Sequence, residues 1–348
     1  MRSDAAPLFD SPSCQSSELD VVVPLFNKGA RVAAALHSVL SQTVKPGRII
    51  VVDDGSTDDG PAMVRGIPDP RVLLISQSNQ GVSAARNRGV ALAQSELIAF
   101  LDADDEWLPE HLESILRLRQ ACPACHVFAT AYLFRSRGSV DRKAIVQGLP
   151  EAPWQGIIED YFGVASQSDP PLWSSAVAVT KQALTAVGGF PVGVALGEDL
   201  LTWARLAARF PIAYATTPSA VFWRPTVTQS SSQTWQTPDR DDPVGQGLAE
   251  LLTQGNGLGK KSLLRYIGLW HRMRGICWIG ANDMGRARQE FRKAGNYLGW
   301  TPKLLIYMLS TLLSSRAARL ARYSYVAMVR AFKGRREVIC GTGVEVGS

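Results

Sequence analysis

The stretch over residues 79–107, NQGVSAARNRGVALAQSELIAFLDADDEW, constrains the fold of this chain more than any other. At its centre Leu97-Ile98-Ala99-Phe100-Leu101 is an unbroken apolar run, the pattern of a strand buried on both faces. The run stops at Asp102-Ala103-Asp104-Asp105. Gathering three carboxylates in four residues is costly, because like charges raise one another's pKa, and a cation among them removes that cost. Mg²⁺ and Mn²⁺ favour oxygen ligands, and Mg²⁺ usually takes one or two carboxylates together with substrate phosphates. An acidic loop at the C-terminal end of a buried parallel strand also sits where open α/β sheets bind ligands. The plainer alternative is a polar turn that caps the next helix, with Pro109 in its first turn.

The chain before this stretch alternates strand and helix. Leu19-Asp20-Val21-Val22-Val23-Pro24 reads as a first buried strand that Pro24 ends. Residues 27–42 place Val32, Leu36, Val39 and Leu40 at helical spacing. A second strand over 48–53 runs into Asp53-Asp54-Gly55-Ser56-Thr57-Asp58, where glycine suits a tight turn and Ser or Thr suits a helix cap. A short strand over 72–76 and a helix over 81–93 follow, the helix carrying Arg86 and Arg88. Strands separated by helices predict a parallel, right-handed βαβ sheet. Two of its strands end in acidic loops, so both loops should open on one edge.

Composition fits a folded protein: 46% of the 348 residues are apolar and 20% are charged. Residues 1–17 lack the apolar core of a signal peptide and read as a disordered leader. No run of eighteen apolar residues suggests a spanning helix. The five cysteines form no framework; Cys122 and Cys125 make a lone CxxC with only His126 beside it, and a reducing cytoplasm is expected. The net charge of +6 is unevenly spread. Residues 245–336 hold 17 Lys+Arg against 3 Asp+Glu, and the remainder holds 20 against 28. An acidic body is a poor nucleic-acid reader, whereas the basic region points to an anionic partner.

No GxGxxG follows the first strand and no GxxxxGK[ST] occurs, which counts against dinucleotide and P-loop folds. Instead Val23-Pro24-Leu25-Phe26-Asn27-Lys28, Val52-Asp53-Asp54-Gly55-Ser56-Thr57-Asp58, Asn79-Gln80-Gly81-Val82-Ser83-Ala84-Ala85-Arg86-Asn87 and Phe100-Leu101-Asp102-Ala103-Asp104-Asp105 stand in order. Gly188-Gly189-Phe190-Pro191 and Gly197-Glu198-Asp199 come later. Together these segments resemble the successive signatures of family 2 glycosyltransferases over roughly residues 18–225. The resemblance implies a GT-A fold, a Rossmann-like mixed α/β sheet flanked by helices, and transfer of a sugar from a nucleotide-sugar donor, UDP by preference, with inversion.

By the same resemblance, Pro24, Asn27, Asp54, Arg86 and Asp102 would meet the donor. Asp54 would lie at the base with Arg86 beside it, and Asp102 at the ribose and metal. Asp104 would ligate Mg²⁺ or Mn²⁺ across the diphosphate, and Asp199 would be the catalytic base. A divalent ion stabilises a leaving diphosphate as a Lewis acid, and a carboxylate can take the acceptor's hydroxyl proton. Glu198 and Trp173 are candidates for acceptor-side support. Glu198-Asp199 reads equally as the N-cap of a helix over 200–208, Arg86 as an exposed helix charge, and the role of Asp53 is open. Loop aromatics over 135–175, Trp154, Tyr161 and Trp173 among them, either stack on sugars or pack the sheet's far end. Where family members often carry a metal-binding histidine, Trp223-Arg224-Pro225-Thr226 has threonine, so a weaker metal site is expected.

The glycosyltransferase domain is expected over 18–235, a linker over 236–244, a basic helical region over 245–336 and a tail over 337–348. Helices are predicted over 263–280, 284–297 and 302–333. In the last, Arg316, Arg319, Arg322, Arg330 and Lys333 share one side and Leu309, Leu313, Ala317 and Leu320 another. That suits a peripheral contact with the anionic inner face of the plasma membrane, or a packed helix with its basic side in water. The acceptor is expected to be a cell-surface polysaccharide or a lipid-linked glycan. A sugar-nucleotide pyrophosphorylase is the rival enzyme, but no glycine- and arginine-rich N-terminal loop is present. A non-catalytic membrane or nucleic-acid adaptor leaves the separate acidic clusters without purpose.

Overall fold

The computed structural model describes residues 18–138, 140–224, 237–254 and 259–312. The expected leader, the Thr226 position and the arginine-bearing stretch beyond residue 312 lie outside these residues. The elements run β1 (Leu19–Leu25), α1 (Gly29–Leu40), β2 (Ile49–Asp53), α2 (Gly60–Arg65), β3 (Val72–Ser76), α3 (Val82–Leu92), β4 (Leu97–Phe100), β5 (Glu106–Trp107), α4 (His111–Ala121) and β6 (Val127–Arg135). Then come β7 (Arg142–Lys143), β8 (Gln155–Ile158), α5 (Tyr161–Ala165), β9 (Val177–Thr180), α6 (Lys181–Ala186), α7 (Glu198–Ala207) and β10 (Ile212–Trp223). Helices α8 (Pro243–Gln254), α9 (Lys260–Gly280), α10 (Met284–Leu298) and α11 (Pro302–Ser310) close the described chain.

The strands form one mixed sheet in the order β3-β2-β1-β4-β9-β6-β10-β5. β1, β2, β3 and β4 run parallel, so the loops after β2 and β4 do open on one edge. β9 is antiparallel to both β4 and β6. Every residue of β1, β2 and β4 is buried, as their continuous apolar character demands. Alternation within those strands splits the core in two. Val21, Val23, Ile49, Val51 and Ala99 face α1 and α4, while Val22, Ile50, Val52, Ile98 and Phe100 face the side of α3 and α7. Gly89 lets α3 lie close on β1, since a Cβ there would stand 2.4 Å from Val22 Cγ1.

Three boundaries differ from the sequence reading. β1 continues through Pro24 to Leu25, because Pro24 pairs opposite Val52 within a parallel ladder. α4 begins at His111 with Glu110 at its N-cap, so Pro109 precedes the helix. The expected linker over 236–244 gives way to α8 at Pro243, a helix the sequence reading did not anticipate. The first C-terminal helices pack directly on this domain. Val244, Leu248, Leu251, Leu263, Tyr266, Ile267 and Trp270 share the α7-side core. A separate cluster of Trp278, Ile279, Phe291, Ala294, Leu304 and Tyr307 joins α9, α10 and α11.

A buried polar cluster pins the junction of α8, α9 and α10. His271 Nδ1 lies 2.7 Å from Glu290 Oε2. Arg274 reaches Asp242 Oδ1 and Glu290 Oε1, each at 3.4 Å. Asp242, His271 and Glu290 converge closely enough to hold a metal ion, but Arg274, and Lys293 at 3.5 Å from Glu290, already supply positive charge there. Burial alone would raise the Glu290 carboxyl; the hydrogen bond with His271 and the charges of Arg274, His271 and Lys293 outweigh it and hold Glu290 below the ordinary glutamate value. A carboxyl with a depressed folded pKa adds stability above its unfolded pKa and loses it as pH falls through the folded one. Glu290→Gln should therefore destabilise the protein at pH 7, by about 1–3 kcal/mol. The deficit against the parent should close at acidic pH. Thermal melts at both pH values check this, and an equal deficit at both would show that the charge is not what matters.

Candidate active site

The sequence makes the site by ending strands in acids on one edge. After β4 the four-residue loop alternates direction: Asp102 and Asp104 are half-buried, whereas Ala103 and Asp105 turn inward. Asp105 Oδ2 accepts from Ser175 Oγ at 2.5 Å and from Trp173 Nε1 at 3.2 Å, and Oδ1 accepts from the Trp223 amide at 3.2 Å. Burial, with the Asp102 and Asp104 charges, pushes its carboxyl up to about 7 despite the hydrogen bonds from Ser175 and Trp173. Ser175 Oγ also accepts from the Asp102 amide at 3.0 Å. Asp105 and Ser175 thus set the loop's shape and leave Asp102 and Asp104 to face outward.

Arg86 ties this loop to a second acidic centre. It is 3% exposed, not the exposed helix charge that the sequence also allowed. Its Nη2 donates to Asp102 Oδ1 at 2.8 Å and its Nη1 to Glu198 Oε1 at 3.2 Å. Its guanidinium carbon lies 5.2 Å from the Phe190 ring centroid. Against the cost of burial, the charges of Asp102, Glu198 and Asp199 raise its pKa further, so it stays a cation. Neighbouring Asn87 fixes the approach of α7: its Nδ2 donates to Phe190 O at 2.7 Å, and the Phe190 amide donates to its Oδ1 at 2.9 Å. Gly189, at φ 67°, makes room, because a Cβ there would stand 2.7 Å from Asn87 Oδ1.

The N-cap of α7 is Gly197, at φ 82°, so Glu198 and Asp199 occupy the first turn rather than the cap. Both gain from the helix dipole there. Asp199 Oδ1 accepts from the Leu200 amide at 2.7 Å. Burial holds the carboxyls of Asp199 and Glu198 above their ordinary values, and the Arg86 charge opposes the rise in each. Tyr161 and Tyr266 stand near enough for the Asp199 charge to push their hydroxyls up as well, after burial.

The remaining sequence candidates separate. Asn27, at φ 51°, is exposed at the end of β1, with its Oδ1 accepting from the Thr57 amide at 2.8 Å. Pro24 is buried inside β1. Asp54 is 2% exposed, and its carboxylate is engaged by Gln77 Nε2 at 2.7 Å and by the amides of Gln80 and Gly81 at 2.9 and 2.7 Å. It orients the loop that leads into α3. Asp53 Oδ1 accepts from the Ser56 amide at 2.9 Å and shapes the turn before it. Trp173, half-buried, packs on Tyr132 and Phe222 beneath the acidic loop.

Beside Asp104 lies a cleft of ≈ 650 Å³ lined by Asn27, Lys28, Arg31, Asp58, Arg137, Trp223 and Arg224 among others. Sequence reasoning gave none of its four cations a role, though Lys28 and Arg224 stand inside quoted segments. Lys28 Nζ pairs with Asp104 Oδ2. The donor set suits a hard divalent ion only thinly. Asp104 offers an outward carboxylate and Asp102 is a neighbour whose Oδ1 already serves Arg86, so a Mg²⁺ or Mn²⁺ held there would complete its shell from phosphates and water.

Residues 20–155 match Glycosyl transferase family 2. The putative glycosyltransferase EpsH of Bacillus subtilis is 35% identical over 150 residues, covering 42% of this chain and 44% of that protein. The succinoglycan biosynthesis protein ExoO of Rhizobium meliloti is 38% identical over 108 residues, or 31% of each. The chain therefore spans less than half the length of these relatives. In structure, residues 1–349 of S. aureus TarS, solved with UDP-GlcNAc, superpose with a TM-score of 0.59 at 16% identity, over 89% of this chain and 92% of that one. Over residues 20–155 the chain is therefore similar to the family 2 glycosyltransferases, and its sheet and flanking helices have the GT-A fold that it shares with the TarS fragment.

Proposed function

We propose that the protein transfers a sugar from a nucleotide-sugar to a hydroxyl of a cell-surface polysaccharide or lipid-linked glycan, with inversion at the anomeric carbon. The observation that carries this reading is the buried Arg86, which spans the acidic loop after β4 and the acids opening α7. One centre faces a cationic cleft fit for a diphosphate, and the other offers a carboxylate of raised pKa fit to take a proton. UDP is the favoured nucleotide because the TarS fragment of like fold was solved with UDP-GlcNAc. ExoO, named for succinoglycan biosynthesis, favours a polysaccharide acceptor.

In this scheme Asn27, Lys28 and Arg31 line the place for the donor's phosphates, and Asp102 stands at its inner side, fixed by Arg86. Asp199 removes the acceptor proton as the hydroxyl attacks from the face opposite the leaving group. A Mg²⁺ or Mn²⁺ at Asp104 would stabilise the diphosphate as it leaves. Incubation with a panel of UDP- and GDP-sugars, with release of nucleoside diphosphate as the readout, tests the reading. One donor should be consumed faster than the rest, and faster still with a glycan acceptor. A preparation that melts cooperatively but consumes none would overturn it.

The same reading extends to the membrane surface. Among the described residues no helix is long and apolar enough to cross a membrane. Yet Leu305, Ile306 and Leu309 leave 41–60% of their surface exposed along α11, with Trp300 at 49% just before it and Leu312 at 70% just after. Exposed leucines next to a basic sequence suit a helix lying on an anionic leaflet, at the cytoplasmic face. Removing residues 313–348, at about 1 kcal/mol per basic residue near the surface, should release the protein from phosphatidylglycerol vesicles. Equal sedimentation of truncated and full-length protein would rule out the contact.

A further inference from the structure

We propose that Lys28 is a built-in counter-ion of the acidic loop, bridging Asp104 to the donor's diphosphate so that the cleft holds the donor without a divalent ion. The proposal rests on the donor-site reading above and concerns what neutralises that donor.

Three observations carry it. First, the Lys28 ammonium already sits on Asp104 Oδ2, and the two side chains are 45% and 35% exposed toward the cleft. An ammonium has three N–H donors in a compact head. One on Asp104 leaves two for phosphate oxygens, so Lys28 can join carboxylate to diphosphate with no rearrangement. Second, the cleft is lined by Lys28, Arg31, Arg137 and Arg224 against Asp58 and Asp104, an excess of positive charge before any ion enters. Two of the guanidiniums are held in place on aromatic faces, Arg31 at 4.0 Å from the Trp223 centroid and Arg224 at 3.8 Å from that of Phe134. Arg31 Nη2 also donates to Asp104 O at 3.2 Å, which fixes the loop's backbone beside the ammonium. Third, the acidic loop does not assemble a cation cage. Asp102 gives its Oδ1 to Arg86, and Asp105 is turned to Ser175 and Trp173, so Asp104 is the carboxylate of this loop that faces the cleft. Among the described residues, the three-ligand group that could hold a metal is Asp242, His271 and Glu290, on the C-terminal helices.

Titration calorimetry with UDP, in EDTA and in Mn²⁺, tests the proposal without depending on turnover. The full-length protein should bind UDP in EDTA within about tenfold of its affinity in Mn²⁺. Lys28→Met should weaken binding in EDTA by about tenfold to a hundredfold, the loss of one charge-assisted bond and its charge, and Mn²⁺ should restore most of it. Lys28→Arg should keep the binding in EDTA. The side chain is exposed, so both variants should melt with the parent. If the parent binds UDP only with Mn²⁺, Lys28 merely occupies the place until a metal arrives, and the proposal falls. It falls equally if Lys28→Met binds in EDTA as the parent does. A parent that binds UDP in neither buffer would instead remove the donor-site reading beneath it.

Discussion

Asp199→Asn is expected to lower acceptor turnover by about 10²–10⁴-fold, the usual contribution of a general base. Asparagine keeps the side-chain shape and an oxygen for the Leu200 amide, which Asp199 Oδ1 accepts at 2.7 Å. It removes the proton acceptor alone. Because Gly197, not Asp199, caps α7, the helix should not fray and the melting temperature should barely move. The pH profile adds a second signature. A base works ionised, and burial holds this carboxyl above the ordinary aspartate value. Turnover in the parent should therefore fall, as pH drops, earlier than an ordinary aspartate would dictate, and that acidic limb should vanish in the variant. Single-turnover transfer separates chemistry from product release. Transfer within about threefold of the parent would place the base elsewhere, with Glu198 the next candidate.

Much of the sheet was legible because its signal is local. Continuous apolar runs name strands buried on both faces, and the expected strand over 72–76 and the acidic ends of β2 and β4 stand where the sequence put them. The antiparallel insertion of β9 between β4 and β6 was not legible, since pairing across the sheet depends on residues far apart in the chain. Helix α8 was hidden by composition. Gly245 and Gly247 lower its local helix propensity, yet its Val244, Leu248 and Leu251 are stabilised by a core that local propensity does not see.

The site was readable by residue type and much less so by role. Asp102, Asp104 and Asp105 look alike in sequence, and only the fold shows that the third points inward to Ser175 and Trp173. Asp54 carries the same carboxylate as its neighbours but spends it on three donors from the loop before α3. Arg86 next to Asn87 was visible as a motif. That the pair clamps a segment a hundred residues away is tertiary information. The cations of the cleft come from the start of α1, the β6–β7 turn and the end of β10, so no spacing rule could have gathered them.

Arg86→Met is expected to cause the largest loss of stability of any single change at the site. Methionine is close to the arginine stem in length and apolar, so packing against Phe190 is roughly kept while the charge is lost. Asp102 and Glu198 would then face each other beside Asp199 with no cation between them. Removing one partner of a buried ion pair costs about 3–5 kcal/mol, because the other charges stay buried and unpaired. For a chain of this size each kcal/mol moves the midpoint by about 1–2 °C, so a fall of about 4–8 °C is expected at pH 7.5. The sign with pH follows from the carboxyls. Without Arg86 their pKa values rise, protonation relieves the repulsion, and the deficit against the parent should shrink as pH is lowered toward 5. Arg86→Lys should rescue only part, since one ammonium cannot fork to both carboxylates as a guanidinium does. Adding Glu198→Gln to Arg86→Met should recover stability beyond the sum of the single changes, the mark of a direct coupling. A variant that melts within a degree or two of the parent at pH 7.5, with no recovery in the double variant, would show that the bridge does not join the two acidic centres.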